Sequence, residues 1–346
     1  MTAAALGIAL DIKPFIFVFA IIEILSRYRL NWSVVVLSIA KCFVILALAN
    51  SIFAIVDILS GDSFGVLGHR LIRGVMGLSA PNGLFTFKFG SATLTMFGCI
   101  AAVSLSRETA SHKYMILAVY FVILLTLHSA VKEMFGALIA FGLHFIFEMR
   151  AANLNTRGAN TGKRIVVIFT IAFILVSGTF DIVIQTTKER YQAYIVSDSI
   201  RGRLYAVSGE LALDNFPFGS GAGTYASKPS RTLYYSNIYH DYGLSRYYGA
   251  SPTYSSFLMD TWWPKILGEA GVFGLITYAL FWVWAWFQLG RYFLQRKSGA
   301  ALFVFACASA TLSSSISAAV FTSHLYLPVI GIVFSGALNP MLLRQK

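Results

Sequence analysis

Long apolar runs separated by short polar gaps dominate the chain. A bilayer core needs about 20 mostly apolar residues per helix. Nine stretches meet or approach that length: residues 4–26, 32–57, 85–106, 113–129, 131–149, 165–184, 266–289, 299–320 and 325–343. Asp11 and Lys13 weaken the first of them. The fourth and fifth are short and joined through Ser129 and Ala130 alone, which predicts a tight helical hairpin. The pattern therefore predicts an all-α, polytopic membrane bundle in three regions. Residues 1–184 hold N-terminal transmembrane helices, 185–265 form one large extramembrane loop with short helices, and 266–346 hold the C-terminal helices. No charged segment precedes Ala3 and no small-residue cleavage site follows the first run, so a removable signal peptide is not expected.

Composition sharpens this picture. Hydrophobic residues make up 57% of the 346 residues and charged residues 12%, against about 25% charged in an ordinary soluble domain. A soluble chain this poor in charge could not cover its own surface, so the excess apolar surface must meet lipid. A disordered chain, a disulfide scaffold and a nucleic-acid-binding module are excluded. Cys42, Cys99 and Cys307 all sit inside apolar runs and read as small core residues.

The net charge of +12 becomes informative through its placement. Arg27 and Arg29, Arg107 and Lys113, the group Arg150, Arg157, Lys163 and Arg164, the group Arg291, Arg296 and Lys297, and finally Arg344 and Lys346 all fall on one side when nine helices are threaded. That side is the cytoplasm, so the C-terminus is cytoplasmic and the N-terminus starts outside. An outside start without a signal reads as an N-terminally shortened form. These clusters hold 13 of the 27 basic residues.

Much of the remainder lies in the segment from Gln185 to Lys265, which orientation places outside. It carries Lys188, Arg190, Arg201, Arg203, Lys228, Arg231, Arg246 and Lys265, together with 11 of the 17 tyrosines. Tyr and Trp commonly form an interfacial belt. The other reading is sugar binding, with cationic side chains beside the rings to take an anionic phosphate. Tyrosines and arginines together point to a phosphorylated glycan. His240 lies within the same segment.

Two strings in this region carry a motif. Pro217-Phe-Gly219-Ser-Gly221-Ala-Gly223-Thr-Tyr225 is glycine-dense, which tight turns explain more often than phosphate cradling does. Asp260-Thr-Trp262-Trp-Pro-Lys265-Ile-Leu-Gly-Glu269-Ala-Gly271-Val-Phe-Gly274 runs into the seventh apolar stretch, where a carboxylate ordinarily caps a helix. With Arg203-Leu-Tyr-Ala ahead of them, these strings resemble the O-antigen ligase and polymerase superfamily, bacterial membrane enzymes that join glycans carried on undecaprenyl diphosphate. The resemblance spans Arg201 to Tyr278, and the form of the second string is similar to the polymerase branch for capsule or exopolysaccharide. Asp260 stands where many members carry His, and Ser129-Ala-Val-Lys132-Glu133 replaces an "SR" between the paired central spans.

The resemblance implies a metal-independent, inverting glycosyltransferase of the cell envelope. It would polymerise lipid-linked repeat units at the outer face of the bacterial inner membrane, with a flippase and chain-length regulators as further partners. Asp260 or His240 would take the acceptor proton, and Arg203 would meet the diphosphate. Arg201, Lys265 and Glu269 would line the substrate site with Gly219, Gly221, Gly223, Tyr225 and Trp262, and Lys132 could stand in for the missing arginine. Outside the resemblance, Arg231 joins this set through its position among the loop aromatics, and Arg70 and Arg73 as basic residues of a glycine-rich outer loop. No spacing matches a metal site, and no cofactor is expected. A ligase passing glycan to lipid A core shares this chemistry. A transporter or flippase for a lipid-linked or anionic solute is the alternative of another class, favoured by Lys41 in mid-span. Lys41 is expected to pair with Glu23.

Overall fold

The computed structural model describes residues 2–60, 72–73, 79–128, 130–152, 200–296 and 298–339. The expected sixth span, Arg70 and the last basic residues lie outside this set. Eleven α-helices run through the described residues: α1 (Ala3–Arg27), α2 (Trp32–Ser60), α3 (Lys88–Thr109), α4 (His112–Leu127), α5 (Val131–Ala152), α6 (Ile200–Asp214), α7 (Lys228–Thr232), α8 (Ile238–Asp241), α9 (Trp263–Arg296), α10 (Gly299–Ser315) and α11 (Leu327–Leu338). A two-residue antiparallel ladder, β1 (Ile72–Arg73) with β2 (Ser79–Ala80), joins α2 to α3 in register Ile72↔Ala80. Helices α1, α2, α3 and α9 are long and apolar enough to cross a membrane, and α4, α10 and α11 are shorter apolar helices. This is a helical membrane protein.

Two compact units divide the chain. The larger comprises Ile22–Ile184, Trp286–Ser313 and Ile332–Lys346. Its centre is α3, buried along nearly its whole length and packed on α2, α4 and α5. Small residues permit this closeness: a Cβ on Gly98 would strike Ala47, and one on Gly136 would strike Met96 and Ala310. In lipid no hydrophobic force draws helices together, so such contacts and buried hydrogen bonds must do it. Trp32 is fully buried and donates its indole N–H to the Ile332 carbonyl at 3.3 Å. Arg107 pairs with Glu148 at 3.1 Å and lies over the Phe147 ring.

A polar network runs through the same unit. The Asn50 amide donates to Ser91 Oγ at 2.8 Å, and Ser91 Oγ lies 2.7 Å from His128 Nε2. His128 Nδ1 lies 2.7 Å from the Leu124 carbonyl, which can only accept. A neutral imidazole therefore satisfies the whole chain of bonds. Asp57 receives the backbone N–H groups of Asn82 and Gly83. Asn50, Asp57 and Ser91 escaped the sequence reading, although polar residues inside apolar runs were the available signal. His128 itself is fully buried. Lys41 and Glu23 are both exposed, and among the described residues no ion pair joins them.

The other unit comprises Met1–Ile21, Gln185–Ala285 and Ser314–Gly331. Within it α6 presents Ile200, Leu204, Val207 and Leu211 along one face, at the spacing of a helical stripe. That face packs on Tyr225, Tyr239, Leu244, Ala250 and Leu258. The expected large loop thus has a small core of its own, and tyrosines fill much of it. A second cluster joins α1 to α9 through Phe15, Tyr278, Phe281 and Trp282, with Phe321 against Trp282 at 4.6 Å.

Candidate functional site

The two motif strings bind one another. Helix α9 breaks at Gly271, whose φ of 66° and ψ of −166° fall in a region open essentially to glycine alone. The glycine string docks at this break. Ser220 N–H donates to the Gly268 carbonyl at 2.8 Å, Gly221 N–H to the Glu269 carbonyl at 3.0 Å, and Phe273 N–H to the Pro217 carbonyl at 3.3 Å. Backbone meets backbone so closely that a Cβ on Gly271 would lie 2.2 Å from the Pro217 carbonyl oxygen. A Cβ on Gly219 would lie 2.5 Å from the Gly271 nitrogen, and one on Gly223 would lie 2.5 Å from the Ala3 carbonyl oxygen. Gly221 has φ of 98° but an open surrounding. Gly219 N–H donates to Asn215, so the amides of residues 219 to 221 are engaged within the fold.

Glu269 closes the junction. It is buried and accepts the Tyr225 backbone N–H at 3.0 Å, while its second oxygen lies 3.8 Å from Lys265 Nζ. Lys265 is itself buried, pairs with Asp11 of α1 and sits 5.0 Å above the Trp262 ring. Tyr225 is fully buried and donates its hydroxyl to the Leu204 carbonyl at 2.7 Å. Burial pushes the Tyr225 and Tyr239 phenols well above their ordinary range, so both remain neutral hydrogen-bond donors. Lys265, Glu269, Tyr225 and Trp262 therefore make up a buried junction between α1, α9 and the glycine string.

The exposed side of the same unit gathers the other candidates. Arg201, in the first turn of α6, donates to Asp260 at 2.7 Å. Both side chains remain about a third exposed, at 37% and 31%. Asp260 ends the 3-10 turn Ser256–Met259, and α9 begins beyond it at Trp263. Its carboxylate is thus held by a guanidinium. Arg203 lies 5.8 Å from the centre of the Tyr247 ring. Arg231, in α7, donates from Nε to Ser255 Oγ at 3.3 Å. His240 is exposed in α8, its ring edge-on to Tyr235 at 5.2 Å. Arg201, Arg203 and Arg231 therefore each meet the segment 247–260, at Asp260, Tyr247 and Ser255 respectively.

Lys132 and Arg73 belong to the other unit. Lys132 pairs with the buried Glu133 at 3.5 Å and lies 5.6 Å from the Phe89 ring centre. The second oxygen of Glu133 has no hydrogen-bond partner. Arg73 contributes its backbone to the short ladder opposite Ser79.

No protein-family model, curated protein or solved structure matches the chain.

Proposed function

We propose that the protein is a glycosyltransferase that polymerises glycans carried on undecaprenyl diphosphate. The observation that carries this reading is the partly exposed Arg201–Asp260 pair, with Arg203 two residues along the same helix against Tyr247 of the segment that ends in Asp260. It supplies two kinds of group that displacement at a glycosyl diphosphate requires: fixed cations for the leaving group and a carboxylate for the acceptor proton. Nine spans, an external loop and a cytoplasmic C-terminus complete the proposed topology, and the alternation of basic clusters supports them.

In the proposed reaction an acceptor sugar hydroxyl attacks the anomeric carbon of the donor glycan. The bond from that carbon to the diphosphate oxygen breaks, its electron pair leaving on the diphosphate, and the configuration inverts. Asp260 receives the hydroxyl proton. Arg203 and Arg201 offset the charge on the diphosphate, guanidinium forks being suited to phosphate oxygens. Arg201 holds Asp260 in the resting protein. A phosphate that captures Arg201 would release the carboxylate for its role as base, so donor binding and base readiness are linked. Arg231 meets the same segment at Ser255 and would extend the cationic lining.

The test is a purified, membrane-reconstituted protein supplied with lipid-linked oligosaccharide. Lengthening ladders are expected. Transfer to lipid A core in place of lengthening would establish the ligase. Movement of the lipid-linked sugar across the bilayer without lengthening would replace both with a transporter.

A further inference from the structure

The tyrosines of the large loop separate into distinct groups. Tyr225 and Tyr239 are core residues. Among the exposed ones, Tyr205 is tied by its hydroxyl to the Ile316 carbonyl and Tyr234 to the Gly223 carbonyl. Tyr248, 77% exposed, and Tyr254, 42% exposed, are different. Their rings face each other at 5.0 Å with planes tilted by 40°.

The segment beneath them is firmly built. Phe257 stands edge-on to both rings, at 6.0 Å from Tyr248 and 6.1 Å from Tyr254. Its backbone N–H donates to the Gly249 carbonyl at 2.9 Å. Gly249, at φ of +84°, lets the Phe257 ring approach where a Cβ would strike it at 2.1 Å. Further turns are closed by Ala250 N–H to the Tyr247 carbonyl and Tyr254 N–H to the Ser251 carbonyl, both at 3.1 Å. The Tyr235 hydroxyl bonds the Ala250 carbonyl from below. Both flanks are tied to an arginine: Arg203 over Tyr247 and Arg231 on Ser255.

Resting on the glycosyltransferase reading above, the geometry points to Tyr248 and Tyr254 as a stacking platform for a pyranose ring of the glycan, beside the phosphate-binding arginines. Exposed aromatic faces held in a fixed orientation are costly to keep in water and mark binding surfaces. Phenols suit sugars, because the ring faces take the apolar C–H side while the hydroxyls bond the rim. A second exposed aromatic patch in this unit provides the contrast. Leu213, Phe216, Phe218 and Phe273 carry no hydroxyl, and Phe273 lies on α9, one of the helices able to cross a membrane. That chemistry suits lipid; the tyrosine pair, with Ser251 and Thr253 hydroxyls beside it, suits carbohydrate.

The experiment uses the full-length protein in nanodiscs on a printed array of bacterial surface oligosaccharides. The wild type, Tyr248→Ala/Tyr254→Ala and Tyr248→Phe/Tyr254→Phe are compared, with matched melting temperatures as the folding control. The alanine pair is expected to lose about tenfold to a hundredfold in binding, the order of a single stacking contact between an aromatic side chain and a ligand ring, while the phenylalanine pair keeps most of it. Equal binding by wild type and the alanine pair, or no binding by wild type, overturns the platform. So does quenching by brominated lipid of a fluorophore on Tyr248→Cys, which would make the patch a membrane contact. Ring-dependent binding with no polymer ladder from wild type leaves the platform standing and removes the polymerase. Ladders with ring-independent binding do the reverse.

Discussion

Asp260 is held by Arg201 across a partly exposed surface, and such pairs contribute roughly 0–1 kcal/mol to stability. A base in a proton transfer is worth far more, typically about 100- to 10,000-fold in rate. Asp260→Asn separates these roles, since the amide oxygen still accepts from Arg201 but takes no proton. The expected outcome is near-normal thermal stability with severe loss of polymer on a gel. Normal polymer would pass the role to His240 or to no base. Arg203 gives the companion measurement. Hydrogen bonds to a charged group are worth about 1.5–3 kcal/mol, so Arg203→Ala should lower turnover by about one to two orders of magnitude. Arg203→Lys should recover part of that, because its ammonium replaces the charge without the planar fork. Equal turnover of Arg203→Ala and wild type would remove Arg203 from the mechanism. The chain offers the residue types that the proposed chemistry requires. It did not show that Arg201 and Asp260 touch, because they lie 59 positions apart and meet only through the packing of α6 on the 3-10 turn.

At the scale of elements, the long helices were largely legible because apolar run length is what lipid imposes. The expected 32–57 became Trp32–Ser60 and 131–149 became Val131–Ala152. The break in α9 was not legible: Gly268, Gly271 and Gly274 look alike in sequence, and only Gly271 takes the special backbone conformation. Gly271→Ala should therefore be severe, adding about 1–3 kcal/mol of backbone strain to the clash with the Pro217 carbonyl. Gly209, inside α6 with nothing near its missing Cβ, is the control; Gly209→Ala should stabilise by roughly 0.5–1 kcal/mol. Detergent melting curves read both, and tolerance of Gly271→Ala would dissolve the proposed docking of the strings. Asp11 first looked like a flaw in α1 and proves to be its link to α9. Lys265 faces two acids, Asp11 and Glu269, so Lys265→Met strands both. Asp11→Asn leaves Lys265 with Glu269 and an amide oxygen. Breaking a buried pair costs about 3–5 kcal/mol, so Lys265→Met should melt well below Asp11→Asn, and the reverse order would mean that the cluster is not held by its lysine.

For the whole molecule, topology turns on parity. The gap between α1 and α2 carries Arg27 and Arg29, and the gap between α3 and α4 follows Arg107 and precedes Lys113. In the proposed topology two crossings, α2 and α3, separate these gaps and put both on one side, which the positive-inside rule would make cytoplasmic. Arg291 and Arg296 in the last turns of α9 belong to that side as well, provided α6 to α8 and residues 247–260 lie outside. That assignment needs one more crossing between α5 and α6, and the apolar run of the sequence at 165–184 is the stretch proposed to supply it. An odd number of crossings there puts the candidate site outside, facing lipid-linked sugar; an even number puts it in the cytoplasm and removes the proposed reaction with it. A single cysteine decides between them. Asn237 is exposed, beside α8, and His112 is exposed at the start of α4. With Cys42, Cys99 and Cys307 replaced by alanine, Asn237→Cys should react with an impermeant maleimide in intact spheroplasts, while His112→Cys reacts only after lysis. Protection of Asn237→Cys until lysis would show that 165–184 does not cross, and the Arg201–Asp260 surface would then lie on the wrong side of the membrane for polymer assembly.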